Sequence, residues 1–360
     1  MQPFNQRVVL GMSGGVDSSA AAALLVEQGL EVIGITLKLW PQDCVSRAED
    51  KCCGPQAVSD ARSVAHKLGI PFYLIDEAAD FQRLVIGYFA EEYRAGRTPN
   101  PCVMCNERLK FGNLINRARQ LGADRIATGH YARTERRDDG RILLRRGRDL
   151  RKDQSYFLFS LKQDQLARAM FPLGELSKSD TREIARDSAL KTAEKEESME
   201  ICFVPDKDYG RFLQQAKLVQ KHRGDIVDVH GHKLGDHDGI EFYTIGQRKG
   251  LGLSSPKPLY VIELDPEHNR VIVGDDLLLE RNELTVERCN WIPFEEPPAS
   301  LEVTAKIRYN HPGAKAAVTP LPNGAARVTF PEPQRAITPG QACVFYQDDL
   351  VVGGGWIARG

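Results

Sequence analysis

The chain predicts an α/β fold: a doubly wound, mostly parallel sheet, followed by a small, mainly β linker domain and a C-terminal β-barrel. Three observations carry this expectation. From residue 7 to about 208, short β-branched runs alternate with amphipathic helical patterns. Such alternation implies a mainly parallel sheet, with ligands at the carboxyl ends of its strands. After Tyr209 the alternation stops, and short runs are cut by His230-Gly231, Asp238-Gly239 and Gly250-Leu251-Gly252. From about residue 284 the pattern is all β, with the hairpin signal Pro322-Asn323-Gly324 between two alternating runs. At 360 residues the chain exceeds one compact core, and the expected division is 1–209, 210–283 and 284–360.

In chain order, strands are expected over 7–11, 31–37, 71–75 and 125–128, and helices over 57–68, 81–93 and 108–121. Two of the helices close on Leu68-Gly69 and Leu121-Gly122, where glycine suits the left-handed position just past a helix. One short helix over 210–217 opens the linker domain. Alternating runs over 301–309, 326–330, 342–346 and 350–356 supply the barrel, with Pro297-Pro298 before them. No internal repeat or low-complexity tract interrupts this order.

Composition narrows the function classes. Hydrophobic residues make up 42% and charged residues 27%, as in an ordinary globular enzyme. The first residues enter a strand directly, and no apolar segment approaches the ~20 residues a membrane span needs. The expected location is therefore the cytoplasm, with no membrane association and with the eight cysteines mostly reduced. Cysteine clusters in that setting point to catalysis, sulfur handling or metal. A formal net charge of −1 does not announce a nucleic-acid binder, so any such binding must use local basic surface. The stretch 141–152, with Arg145, Arg146, Arg148 and Arg151, is one candidate, although an isolated charge run is ordinarily a solvated hairpin edge.

The most informative segment is Gly11-Met12-Ser13-Gly14-Gly15-Val16-Asp17-Ser18, between the run 7–10 and the Ala-Leu stretch 20–26. A strand, tight loop and helix in that order bring backbone amides close to an anion at a helix N-terminus. The loop is built for phosphate but is not a Walker loop, because no Gly-Lys-Ser/Thr closes it. Its Ser-Gly-Gly-x-Asp-Ser form resembles the pyrophosphate loop (PP-loop) of enzymes that cleave ATP between the α and β phosphates.

The second segment is 97–106, Arg-Thr-Pro-Asn-Pro-Cys-Val-Met-Cys-Asn. Prolines on both sides of Asn100 exclude helix locally and stiffen an extended loop. A helix expected to start after Cys105 would place that thiol at a positive helix end, lowering its pKa. The third piece is Ile201-Cys202-Phe203, an apolar strand after the acidic run 194–200. Three readings compete for Cys102, Cys105 and Cys202: a redox pair, half a zinc site, or a sulfur-transfer centre in which Cys105 and Cys202 meet over an activated substrate. The context of Cys102 and Cys105 lacks the thioredoxin unit, and no second ligand pair is present for zinc. Cys44, Cys52 and Cys53 read as surface thiols, Cys289 and Cys343 as packing, and His230, His232 and His237 as hairpin-turn residues rather than metal ligands.

Taken with 127–131 (Ala-Thr-Gly-His-Tyr), 152–157 (Lys-Asp-Gln-Ser-Tyr-Phe) and 244–252 (Thr-Ile-Gly-Gln-Arg-Lys-Gly-Leu-Gly), these motifs make the chain resemble the bacterial tRNA-specific 2-thiouridylases, the MnmA family of PP-loop ATP pyrophosphatases. The resemblance runs from the first strand to the barrel. It implies that ATP, with Mg²⁺, adenylates the C2 oxygen of the wobble uridine 34 in a tRNA anticodon arm, and that sulfur then replaces that oxygen to give 2-thiouridine, AMP and pyrophosphate. It implies that Gly11, Met12, Ser13, Gly14, Gly15, Val16, Asp17 and Ser18 hold the ATP phosphates, while Leu37 and Gly129 contact the nucleoside. Cys202 would carry a persulfide received from a sulfur-relay protein or cysteine desulfurase, and Cys105 would resolve it, leaving a disulfide bond. Asn100, Pro101 and Cys102 would border the flipped base, and Lys152, Asp153, Gln154, Arg308 and Tyr309 would touch tRNA. Many relatives carry aspartate where this chain has Cys102, which opens a second reading: an iron–sulfur cluster on Cys102, Cys105 and Cys202. The chain is read as a monomer. A small-molecule synthetase or an RNA-binding module with an idle ATP loop are the rival functions.

Overall fold

Buried β-branched runs set the first sheet. In chain order its unit contains β1 (Arg7–Gly11), β2 (Glu31–Lys38), β3 (Phe72–Asp76), β4 (Arg125–Ala127), β5 (Ala132–Arg136), β6 (Ile142–Arg146) and β7 (Ala169–Met170). Five of them form a parallel sheet in the order β3-β2-β1-β4-β7. β1 is central, and Val8, Val9 and Leu10 are buried on both faces, as a parallel strand covered by helices requires. These positions belong to a computed structural model that describes residues 7–39, 54–196, 201–204 and 208–360. Cys44, Cys52 and Cys53 therefore lie outside the described residues.

Helix α1 (Val16–Glu27) packs on this sheet through Ala20, Ala21, Ala22 and Leu25, sharing one core with Val8, Leu10, Val32, Val64 and Ala127. The run of alanines lets the helix approach closely, so the core is made of backbone proximity as much as of large side chains. Helix α2 (Pro55–Lys67) adds Ala61, Val64 and Ala65 to the same core. β1 connects to β2 on one side while β4 lies on its other side, so the strand order reverses between β1 and β4. In open α/β sheets such a reversal opens a crevice at the carboxyl ends of the two strands.

The chain divides into two compact units, 1–85 with 102–205 and 349–351, and 86–101 with 206–348 and 352–360. The second unit holds two sheets. β8 (Gly224–Asp228), β9 (Lys233–His237), β10 (Tyr260–Asp265) and β11 (Arg270–Gly274) pair in the order β10-β11-β8-β9 around Ile226, Val261, Val271 and Val273. β12 (Glu280–Trp291), β13 (Leu301–Lys306), β14 (Ala314–Leu321), β15 (Ala325–Arg335), β16 (Ala342–Gln347) and β17 (Leu350–Ile357) pair around a barrel in the order β12-β15-β14-β13-β16-β17. Pairing of β12 with β17, Val286 opposite Ile357 and Trp291 opposite Gly353, closes it and removes its free edges. The Pro322–Gly324 turn joins β14 to β15, with Asn323 in the left-handed region at φ 60°.

Cys343 is fully buried in the barrel core and Cys289 packs against that core. Burial pushes the Cys289 thiol up to about 12 and the Cys343 thiol higher still, so both act as small hydrophobes. His230 and His232 sit on the turn after β8, where the Asp228 carboxylate accepts both of their backbone N–H groups at 2.8 and 2.9 Å. The helix expected over 81–93 is instead α-helical at Ala78–Phe81, π-helical at Gln82–Gly87 and α-helical again at Tyr88–Arg94.

Candidate functional site

The octet turns directly out of β1 at the strand-order reversal. Gly14 is left-handed at φ 71°, and a Cβ there would land on the carbonyl of Ala57 in the first turn of α2, so only glycine fits. Inside the turn, the Ser13 N–H donates to Ser18 Oγ at 3.2 Å and Ser19 Oγ donates to the Gly15 carbonyl at 2.8 Å. Thr36 of β2 donates to the Met12 carbonyl at 2.7 Å. These bonds hold the loop on its own side chains and on the neighbouring strand. Among the described residues no side chain caps either α1 at Gly15 or α2 at Gly54. A helix of 12 residues without a side-chain cap presents its first amides at this turn, a geometry suited to an anion.

Gly129, just past β4, closes the other wall. A Cβ at this position would sit 2.9 Å from the Asp17 carbonyl carbon and from the Ser18 nitrogen. Leu37 is half-buried near the end of β2, paired with Ile75 of β3. Both residues expected to contact a nucleoside therefore belong to strand ends beside the loop. His130, the next residue, is buried with its Nδ1 2.8 Å from Thr128 Oγ1 and its ring among Phe111 and Phe171. Burial, aided by the Lys110 charge, holds its pKa well below 6.5, so it is neutral in the folded state. A histidine with a depressed folded pKa stabilises fully above its unfolded value, and that stability is lost as pH falls. Melting temperature should accordingly drop between about pH 7 and pH 5, and His130→Gln should flatten that slope; equal slopes in the two proteins would remove His130 as a cause.

Around the loop the structure gathers charged groups that sequence spacing does not mark. Asp17 Oδ1 meets Lys178 Nζ at 2.6 Å and the Tyr131 hydroxyl at 2.8 Å, and that hydroxyl lies 2.9 Å from Thr181 Oγ1. Both contacts fall on Oδ1. On the far side of the turn, Lys195 Nζ donates to the Gly14 carbonyl at 3.0 Å and pairs with Asp60 at 2.7 Å, while Lys191 reaches the other Asp60 oxygen at 2.9 Å. Lys178 starts the helix Lys178–Asp187, whose Ser177–Asp180 capping box is visible in the sequence, but its meeting with Asp17 spans 161 positions. Only the fold makes these lysines part of the loop.

The cysteine segment corrects the sequence reading. Helix begins at Pro101, not after Cys105: Pro101–Met104 is α-helical, Cys105–Asn113 π-helical and Leu114–Gln120 α-helical again. Proline lacks an N–H that a first turn does not need, so Pro101 starts the helix that it was expected to exclude. Cys102 therefore occupies the first turn, where the helix field is strongest, and Cys105 the second. Cys202 also differs from expectation. Residues 201–204 form a turn, closed by the Val204 N–H on the Ile201 carbonyl at 2.9 Å, rather than a strand. Phe203 is buried and meets the Phe81 ring edge-on at 5.8 Å. The same 77–81 segment holds the π-helix, because Asn113 Nδ2 donates to Glu77 at 2.6 Å and to Asp80 at 2.7 Å. Cys102, Cys105 and Cys202 are thiols, each partly exposed, and all belong to the first unit with the loop.

Residues expected at an RNA surface divide by what their side chains already do. Asn100 is buried and belongs with Pro101 to the second unit. Asp153 is buried, accepting from Arg146 at 2.9 Å, from the backbone N–H groups of Gly147 and Ser155 at 3.1 Å each, and from Ser155 Oγ. Gln154 Oε1 accepts the Tyr131 N–H at 3.0 Å, which fixes Tyr131 for Asp17. These two side chains build the fold, whereas Lys152 is partly exposed, Tyr309 is partly exposed with Lys306 over its ring, and Arg308 is exposed. Within the basic stretch, Arg145 pairs with Glu135 and Asp349 at 2.6 Å each and Arg146 with Asp153, which leaves Arg148 and Arg151 as its exposed guanidiniums. That stretch is the hairpin edge of β5 and β6.

Among the described residues no three thiol, imidazole or carboxylate groups converge as a metal-binding set. Cys102, Cys105 and Cys202 as placed therefore do not form a three-thiol cradle that fits an iron–sulfur cluster. No helix among the described residues is long and apolar enough to cross a membrane.

Similarity to known proteins extends over nearly the whole chain. The family models described as tRNA methyl transferase HUP domain, tRNA methyl transferase PRC-barrel domain and aminomethyltransferase beta-barrel domain match residues 6–206, 210–275 and 281–357. A tRNA-specific 2-thiouridylase of Moorella thermoacetica is 54% identical over 97% of this chain and 98% of its own length. Another, of Magnetococcus marinus, is 51% identical over 98% and 99%. Among solved structures, a 4-thiouridine synthetase–RNA complex with bound ATP overlaps at a TM-score of 0.36, 16% identical, over 59% of this chain and 50% of that one.

Proposed function

The chain belongs to the tRNA-specific 2-thiouridylase family, and from that premise we propose that it thiolates the wobble uridine of tRNA through an adenylated intermediate and a cysteine persulfide. Its activity is tRNA thiolation, the work of a sulfurtransferase that uses ATP. The observation that supports the route is a tight glycine turn opening α1 at the strand-order reversal, in the same compact unit as three thiols.

In this reading the amides opening α1 hold the ATP phosphates, and Lys178 and Lys195 offset their charge. Asp17 orients Lys178, and its carboxylate would be the group to hold a magnesium ion carried by the nucleotide. That ion would neutralise the phosphate oxygens during departure of pyrophosphate. Leu37 and Gly129 bound the nucleoside. The uridine C2 oxygen attacks the α-phosphorus, pyrophosphate leaves, and a poor leaving group becomes AMP. The outer sulfur of a Cys202 persulfide then attacks C2 and AMP departs with the oxygen. Cys105 thiolate attacks the Cys202 sulfur, the sulfur–sulfur bond breaks, and 2-thiouridine leaves while a Cys105–Cys202 disulfide remains. A cellular thiol supplies the two electrons that restore both cysteines, which suits a cytoplasmic setting. The persulfide comes from a donor protein, a relay protein or cysteine desulfurase. Asn100, Pro101 and Cys102 border the flipped base, and Cys102 is a spare resolving thiol. Lys152, Arg308 and Tyr309 contact phosphates of the anticodon arm, and the protein acts as a monomer.

Incubation with ATP, unmodified tRNA, a cysteine desulfurase with cysteine as the persulfide source, and a reducing thiol tests this reading. AMP, pyrophosphate and thiolated uridine should form together and only when tRNA is present. Nucleotide products without tRNA would favour a small-molecule synthetase. Tight tRNA binding without turnover would favour a binding module.

A further inference from the structure

The helix bearing Cys105 is π-helical for nine residues, Cys105–Asn113, and this wide register is pinned from outside. π-Helical turns are rare, and where they occur they often mark functional segments. Three side chains brace this one. Asn106 Nδ2 donates to the Phe157 carbonyl at 3.1 Å, at the start of the stretch, and Asn113 holds its end on Glu77 and Asp80. Between them the amide nitrogen of Gln165 donates to two π-helix carbonyls, that of Glu107 at 3.0 Å and that of Phe111 at 2.8 Å. The amide cannot be turned over, because its oxygen accepts the Lys162 N–H at 2.9 Å, and reversal would set oxygen against two carbonyls. Gln165 is itself grounded. It sits in the short helix Gln163–Leu166, which Gln163 ties to both the N–H and the carbonyl of Ile142 in β6, at 2.8 and 2.9 Å.

We propose that Gln165 is a positioning residue for the Cys105 thiol: by holding the carbonyls of Glu107 and Phe111 it keeps the helix in its wide register and so sets the direction in which Cys105 points. Without that grip the segment is free to return to i→i+4 bonding. A shift of one residue in register turns the cysteine end by roughly 100° about the helix axis. Gln165 touches no substrate and acts through the helix alone. This role rests on the proposed function only in taking Cys105 as a thiol that handles sulfur.

The test uses the full chain with Gln165→Glu, which keeps the shape and the Lys162 contact but cannot donate, and Gln165→Met, which keeps volume alone. Two measurements are made: the rate of iodoacetamide alkylation at Cys105, mapped by peptide mass, and single-turnover thiolation beside AMP formation. Both variants should change the Cys105 alkylation rate by about threefold or more, with its pH profile displaced. Thiolation should fall at least about tenfold, toward the ~10²-fold that a misplacement of about 1 Å costs, while AMP formation stays within about twofold. Alkylation and thiolation both at wild-type values would overturn the proposal. So would AMP and thiolation falling in parallel with alkylation unchanged, since a general loss of folded protein does that. Altered alkylation with intact thiolation would keep Gln165 as the brace and take Cys105 out of the sulfur path.

Discussion

Replacing either Cys105 or Cys202 with serine should reduce 2-thiouridine formation by ~10³-fold or more while leaving tRNA binding unchanged, because a nucleophile's loss is not offset by the rest of a site. The two variants should fail differently. Without Cys202 no persulfide is held, so no sulfur reaches C2. Without Cys105 the sulfur remains bonded to Cys202 and the product is not released, unless Cys102, three residues away in the first helical turn, takes over. Mass spectrometry after one turnover distinguishes these states, with a Cys202-linked adduct expected in the Cys105→Ser protein. A single variant that keeps near-normal thiolation would remove that residue from the catalytic pair. Residual activity of Cys105→Ser that vanishes on adding Cys102→Ser would assign Cys102 as the substitute.

Asp17→Ala should lower AMP production by ~10²–10³-fold, the usual cost of one misplaced charge-stabilising group. The reason lies in what Asp17 holds. Its carboxylate is the counter-ion of Lys178, whose side chain is 13% exposed, and the acceptor for Tyr131. Removing it leaves an ammonium partly buried without its partner, which costs about 1–3 kcal/mol of folding stability and lets Lys178 swing away from the phosphates. Lys178→Met should reproduce the loss of AMP production with a smaller drop in melting temperature, because no buried charge is stranded. Adenylation that persists at wild-type rates in Asp17→Ala, measured as AMP released from labelled ATP, contradicts the assignment.

The sites legible in the sequence and those it did not reveal differ in range. The octet of residues 11–18 is legible because strand, turn and helix are contiguous, and the chemistry of Gly14 is local: a left-handed turn with no room for a side chain. Lys178, Lys195 and Asp60 carry no such signature, and Tyr131, although part of the 127–131 motif, carries none that ties it to Asp17. Each is an ordinary residue in its own stretch of chain, and each reaches the loop only through sheet order. The outcome at Pro101 has the same root. Proline both breaks a helix and begins one. Here it begins one, because residues 102–113 are held in helix by the side chains of Asn106, Asn113 and the distant Gln165. Asp153 and Gln154 are expected to touch tRNA, and the structure adds a role no local pattern marks: the buried Asp153 carboxylate accepts from the hairpin backbone, and the half-buried Gln154 amide accepts the Tyr131 N–H.

By itself the sequence determined the parallel sheet, the closing barrel, the glycine turn between the first strand and helix, and which thiols the chain carries, since periodicity, glycine placement and residue chemistry are properties of short stretches. Tertiary structure alone decided which charges stand beside that turn, that the Cys105 helix is wide, and that Cys202 lies in a turn. Those outcomes depend on strand order and on hydrogen bonds between groups up to 181 positions apart, which no local pattern encodes.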